Sequence, residues 1–219
     1  MSIVIDIISD VVCPWCYIGK RNLEAALAKY HEQHAKDPTP TVRWHPFQLN
    51  PQLPKTGVPR AEYLEKKFGG PARTKQIYAR VTEAGKQAGI DFDFDRITVQ
   101  PNTVDPHRLV YHALAAGKQD AMVETLFRAY FLDARDLTKV STLAELAAQA
   151  GIDKQSAETY LGSDEDRDLI ADADQEARRM GVEGVPFFII NRKYALSGAQ
   201  PPEVMLKAIE QTVAETAVA

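Results

Sequence analysis

The sequence predicts an α/β fold whose small sheet is interrupted by a large all-helical insertion domain. Three observations carry this. β-branched runs lie near the two ends of the chain, at "SIVIDII" and "TVRWHPF" and again at "VPFFII". Residues 60–181 between them carry apolar residues at helical spacing. The order of elements is β-α-β before the helical block and α-β-β-α at its end.

Each element has a local reason. "SIVIDII" is a short β-rich run bounded by polar residues, hence a strand. From Pro14 to about His34 the residues Leu23, Ala26, Leu27 and Tyr30 recur at helical spacing. Pro14 suits a first helical turn, where its missing N–H costs nothing. "AKDPTP" breaks the chain, and "TVRWHPF" gives a second strand ending near Pro46. Ile77, Val81, Ala84 and Ala88 make a helical stripe closed by Gly89; Leu109, Val110, Ala113 and Leu114 make another, closed by Gly117. Tyr130 and Phe131 are expected in the core. Thr142 with Glu145 reads as a capping box, and Asp105 with Pro106 reads as the cap and first turn of a helix, with His107 solvated. A long helix is expected from about Asp164 to Met180. "VPFFIINRKYALSG" is a hairpin turning at Asn191-Arg192-Lys193, and "PPEVMLKAIEQTV" is a final amphipathic helix. Without the helical block a βαβ–αββα unit remains, the order of a thioredoxin-like fold. The expected division is residues 1–59 and 166–219 for the thioredoxin-like domain and 60–165 for the insertion.

Composition narrows the function. The chain of 219 residues is 45% hydrophobic and 26% charged, an ordinary globular balance. Its net charge of −4 gives no reason to expect nucleic acid, which calls for a basic face. No apolar run reaches the length of a membrane span. "MSIVIDIISD" has no basic n-region, so the expected location is cytoplasmic.

The two cysteines, Cys13 and Cys16, stand together in "SDVVCPWCYIGKR". One reading is metal, since His31-x-x-His34 follows. A continuous helix, at about 1.5 Å per residue, separates Cys16 from His31 by roughly 20 Å, whereas zinc ligands lie within roughly 2.3 Å of the ion. The expectation is therefore no metal and no cofactor beyond a redox-active Cys13–Cys16 disulfide. A strand delivers Cys13 to a helix N-terminus, whose free N–H groups and positive dipole end favour a thiolate. The thiolate is the attacking species. Cys16, one turn on and facing the same side, is placed to resolve the mixed disulfide. Pro14 and Trp15, between the sulfurs, start the helix and pack; Trp15 also offers a flat apolar contact to a substrate chain. Pro186 in "GVEGVPFF" is either a strand-start residue or half of a cis Val185–Pro186 bond, and spacing alone leaves both open. Asp6 and Asp10 are expected at the surface or in caps. His31, His34, His45 and His112 are expected at the surface or in packing.

The blocks "SDVVCPWCYIGKR", "WHPFQLNP", "NTVDPHRL", "LFRAYF" and "GVEGVPFFIINRKYALSGAQ", in this order, resemble the DsbA-like oxidoreductases of the FrnE type. The resemblance covers nearly the whole chain. It implies a thioredoxin fold with a helical insertion and thiol–disulfide oxidoreductase or isomerase activity. It implies that Pro186 is a cis-proline, with Val185 before it, facing Cys13. It also places "NTVDPHRL", with Asn102 and His107, on the wall of the cleft between the two domains; relatives more often carry alanine at 106. Substrate contact is thus expected from Pro14, Trp15, Val185, Pro186, Asn102 and His107. Kappa-class glutathione transferases and 2-hydroxychromene-2-carboxylate isomerases are similar in fold. They place a serine where Cys13 stands, and an acidic residue and an arginine where this chain has Ser197-Gly198-Ala199-Gln200-Pro201. Two alternatives stand beside disulfide exchange: a glutathione-dependent isomerase or transferase, and a non-catalytic binding module. The expected partners are protein or small-molecule thiols and disulfides, glutathione among them.

Overall fold

The computed structural model describes residues 3–218. The chain opens with β1 (Val4–Ser9), α1 (Pro14–Gln33) and β2 (Thr41–Pro46). It continues through β3 (Val58–Pro59), α2 (Arg60–Phe68), α3 (Pro71–Gln87), a 3-10 turn at Phe94–Arg96, β4 (Val99–Gln100), α4 (Val104–Ala115), α5 (Gln119–Phe131), α6 (Val140–Gln149) and α7 (Lys154–Gly162). It closes with α8 (Arg167–Arg179), β5 (Phe187–Ile190), β6 (Tyr194–Ser197) and α9 (Pro202–Val218).

The central sheet has the order β2-β1-β5-β6. β1 pairs parallel with β2, and antiparallel with β5, which pairs antiparallel with β6. Side chains alternate across it, as a pleated strand requires. Ile5 and Ile7 with their partner-strand neighbours Phe188 and Ile190 enter the main core with α1 and α9. Ile8, Phe187 and Ile189 face the other way, onto Ala177 of α8 and Val182. The fold is the expected mixed sheet with a large helical insertion.

Several local expectations need correction. The insertion carries one extended feature, a ribbon in which Val58-Pro59 pairs with Val99-Gln100, apart from the central sheet. Thr142 caps nothing: α6 begins at Val140, and the Leu143 N–H is taken by the Lys139 carbonyl. Asp105 is not the cap of α4. Asn102 Oδ1 accepts the Val104 N–H instead. Asp105, one residue further in, is held by Arg108 at 2.9 Å and Arg167 at 2.7 Å. Arg108 is fully buried, and its remaining N–H groups reach the carbonyls of Tyr160, Ser163 and Glu165. Tyr130 and Phe131 are in the core as expected.

The loop after β2 is pinned from three sides. Gln48 N–H donates to Asp174 at 2.7 Å, the Arg178 guanidinium donates to the Gln48 carbonyl at 2.6 Å, and that guanidinium lies 4.2 Å from the Phe47 ring centre. Leu49 N–H donates to Asp10 at 2.8 Å. The motif "WHPFQLNP" thereby becomes a fixed wall beside the end of β1.

Candidate active site

Cys13 ends the turn after β1. Its N–H donates to the Asp10 carbonyl at 3.0 Å, and its extended backbone makes it the N-cap of α1. Pro14 follows at the first helical position, where no N–H is needed. The Cys13 carbonyl accepts from Cys16 N–H at 3.0 Å and Tyr17 N–H at 3.4 Å, so the first turn is wound with both sulfurs on one side. The two cysteines are unlinked.

Their surroundings differ. Cys13 is 5% exposed and Cys16 1%. The Cys13 thiol donates to the Val185 carbonyl at 3.5 Å, across the chain from β1 to β5. The Val185–Pro186 bond is cis. Burial pushes the Cys16 thiol well above its ordinary value, and the Cys13 sulfur beside it adds to this. The Ser9 hydroxyl and the Asp10 backbone act in the opposite direction and are outweighed. Cys16 is therefore a protonated thiol near neutral pH. Trp15, between the pair in the chain, is 40% exposed.

One contact escaped the sequence reading. A Cβ built on Gly19 would stand 2.9 Å from Pro186 Cγ and 3.1 Å from Phe188 Cζ. Glycine lets α1 and the Pro186 segment come together at that distance. A lone glycine inside a helical pattern signals a close approach but not to what.

Asp10 and His107 also lie elsewhere than a surface reading puts them. Asp10 is fully buried: its carboxylate accepts from Leu49 N–H at 2.8 Å and Val12 N–H at 3.5 Å. His107 is buried, its Nε2 3.2 Å from the Phe47 carbonyl and 3.5 Å from Asp10. The expectation of a surface or cap Asp10 and a solvated His107 is corrected: both are inner supports of the wall beside the cysteine turn. Asp6 takes the other strand face, where it pairs with Arg43 at 3.0 Å and His45 at 2.8 Å. Asn102 spends its amide on the Leu53 carbonyl and the Val104 N–H. The structure thus brings Cys13, Cys16, Pro14, Trp15, Val185 and Pro186 together, sets His107 behind them, and occupies Asn102 with backbone partners. Among the described residues no group of three or more His, Cys, Asp or Glu side chains is arranged to hold a metal.

The DSBA-like thioredoxin domain family matches residues 4–210. The chain belongs to this family. It is similar to a probable DsbA oxidoreductase from Streptomyces coelicolor, at 31% identity over 97% of this chain and 91% of that one, with a TM-score of 0.87. It is 26% identical over 95% of its length to the uncharacterized protein YwbO of Bacillus subtilis (strain 168), covering 96% of it. It also shares its fold with the cytosolic disulfide reductase DsbM of Pseudomonas aeruginosa with GSH, at 20% identity, 96% and 98% coverage and a TM-score of 0.67. With the Cys13–Cys16 pair in place, this member of the DSBA-like family is a thiol–disulfide oxidoreductase/isomerase acting on thiols and disulfides. The family match corrects the expected location. DsbA-family oxidoreductases function in oxidising compartments outside the cytoplasm, where disulfides persist. The cytoplasmic expectation rested on the charge of the first ten residues, which does not bear on the redox environment this site is built for. Among the described residues no helix is long and apolar enough to cross a membrane.

Proposed function

We propose that this protein is an FrnE-like disulfide-exchange enzyme in which Cys13 attacks and Cys16 resolves. The observation that carries the reading is the asymmetry of the pair. Cys13 sits at the helix end with its sulfur 3.5 Å from the Val185 carbonyl, next to a half-exposed Trp15. Cys16 lies behind it, protonated and shut from solvent. A substrate disulfide approaching over Trp15 meets the Cys13 sulfur first. The Cys13 thiolate displaces one substrate sulfur, and Cys16 then displaces the other, closing the Cys13–Cys16 disulfide.

Trp15, Val185 and Pro186 form the substrate-facing set in this reading. The Val185 backbone offers an extended peptide a strand-like edge, which gives affinity without demanding a sequence. Asn102 and His107 hold the cleft wall. Residues 60–165 act as a helical insertion between the halves 1–59 and 166–219, fixed to the cysteine helix through α5. Glutathione is proposed as a small substrate, because its mixed disulfides fit a site of this chemistry; the resemblance of fold to a disulfide reductase with GSH supports testing it.

The test is catalysis of insulin reduction by dithiothreitol. The wild type should accelerate it, and Cys13→Ser should not. Equal rates with and without the wild type, for insulin and for glutathione disulfide alike, would leave only a binding role.

A further inference from the structure

We infer that the α2–α3 hairpin is a dimer face, on which α3 packs antiparallel against α3 of a second copy of this chain about a two-fold axis at Ala79. Within one chain the hairpin is thinly held. Of the 17 residues of α3 only Val81 and Gly85 are buried, and α2 buries only Arg60. By contrast α5, in the same insertion, buries Met122, Val123, Leu126, Phe127, Tyr130 and Phe131. Short helices are marginal in water by themselves and take most of their stability from tertiary packing. One side of α3 lacks that packing.

A groove of about 900 Å³ lies along that side. It is lined by Leu64 and Glu65 of α2, by Lys75, Tyr78 and Glu83 of α3, and by Phe94 beyond them. From Pro71 to Lys86 it follows α3 for nearly its whole length. Ala79 lines it as well. Lys75, Ala79 and Glu83 recur one helical turn apart, so they form a single stripe down α3. All three are exposed. None of Cys13, Trp15 and Val185 lines the groove, so the face is separate from the exchange site and the inference does not rest on it.

The charges decide what fits. Among the described residues no side chain of α2 or α3 takes part in an ion pair, whereas α5 pairs with α1 through Asp120 and Glu124, and α7 carries Lys154 with Glu158. Glu83 accepts only from the Gln87 amide, at 3.2 Å. Lys75 and Glu83 lie two turns apart, roughly 12 Å along the helix, too far to pair with each other. Ala79 stands midway between them. A two-fold axis there sets the partner's Glu83 against Lys75 and the partner's Lys75 against Glu83, the reciprocity an isologous interface requires. The small side chain of Ala79 lets the two helices approach at the crossing. A purely basic or purely acidic partner meets a like charge at one end of the stripe, and a second copy meets an opposite charge at both. The same contact covers Leu64, Tyr78 and Phe94.

The test is the mass of the full chain in solution, read by sedimentation velocity from low to high micromolar protein. A reductant is present, so that no disulfide links the copies. The wild type should sediment as a dimer at the upper end and dissociate on dilution, and its melting temperature should rise with protein concentration. Lys75→Glu opposes two pairs of like charges and should weaken association about tenfold or more, and Glu83→Lys should do the same. The double variant Lys75→Glu with Glu83→Lys restores both pairs with their signs exchanged and should dimerise like the wild type. A wild type that stays monomeric throughout overturns the inference. So does a dimer that the single swaps leave intact, or one that the double swap fails to restore, because either result puts the contact elsewhere.

Discussion

Cys13 and Cys16 are alike in sequence and differ in what surrounds them. One sits at the end of a helix facing Val185, the other lies under it with its thiol raised by burial. Iodoacetamide near neutral pH should therefore label Cys13 faster, by about tenfold or more, since the thiolate is the reacting species, Cys16 is the more deeply buried sulfur and burial raises its thiol pKa. Mass spectrometry of the labelled peptide reads the ratio, and preferential labelling of Cys16 would reverse the assignment. Gly19 acts on the same site through space. Gly19→Ala drives a methyl to within 2.9 Å of the rigid Pro186 ring. Such overpacking costs about 1–3 kcal/mol, read by urea unfolding, and should slow disulfide turnover by displacing Pro186 from its place over α1. Unchanged stability and turnover would mean the two segments have slack between them. The cysteines and Pro186 were legible in the sequence because their chemistry is written in residue type and short spacing. Asp10 and Gly19 were not, because what matters about them is what lies opposite, and that is set by chain far away.

At the scale of elements, α1 is tied to α5 by a mixed charge cluster. Lys20, with a side chain only 3% exposed, pairs with Glu24, with Asp120 at 3.2 Å and with Glu124 at 3.4 Å. Arg21 pairs with Glu24 at 2.7 Å and with Glu124. Tyr17, stacked on Phe127 at 4.9 Å, donates its hydroxyl to Glu124. Burial opposes the charge on Lys20, but its three carboxylates outweigh it and raise the ammonium pKa; burial likewise opposes the Glu24 charge, and Lys20 and Arg21 outweigh it and lower that carboxyl. Lys20→Ala leaves Glu124 short of a partner and should cost about 2 kcal/mol, below the usual loss for a buried pair because Asp120 and Glu24 are well exposed. The sign of the pH dependence is fixed. The Glu24 contribution is complete above about pH 4.3, its unfolded value, and is lost as pH falls through its lower folded value. The Lys20 contribution is complete below about pH 10.4 and is lost as pH rises through its higher folded value. The stability gap between wild type and Lys20→Ala should be flat between these limits and narrow outside them. A gap that does not change with pH would mean packing, not charge, holds α1 to α5. The helices themselves were legible from apolar spacing, and their starts were less so. At α4 and α6 a cap-forming residue type was present, but Asp105 was drawn inward by Arg108 and Arg167, and α6 began ahead of Thr142.

At the scale of the molecule, the sheet is assembled from both ends of the chain: β1 and β2 come before the insertion, β5 and β6 after it. The active site lies on that seam, where the β1–α1 turn meets the segment before β5. The order βαβ–αββα was legible because the period of the apolar pattern switches between strand and helix at the seam. The compartment was not, because redox environment leaves no mark on periodicity; it came from the family. The account's central claim is that the two sulfurs divide the work, Cys13 capturing and Cys16 releasing. The most direct measurement is to incubate Cys16→Ser and Cys13→Ser separately with a disulfide-bonded peptide, quench with acid, and read covalent adducts by intact mass. Cys16→Ser should carry one peptide, on Cys13, and Cys13→Ser none. An adduct on Cys16 in Cys13→Ser formed at a comparable rate, or no adduct on either variant, would contradict it.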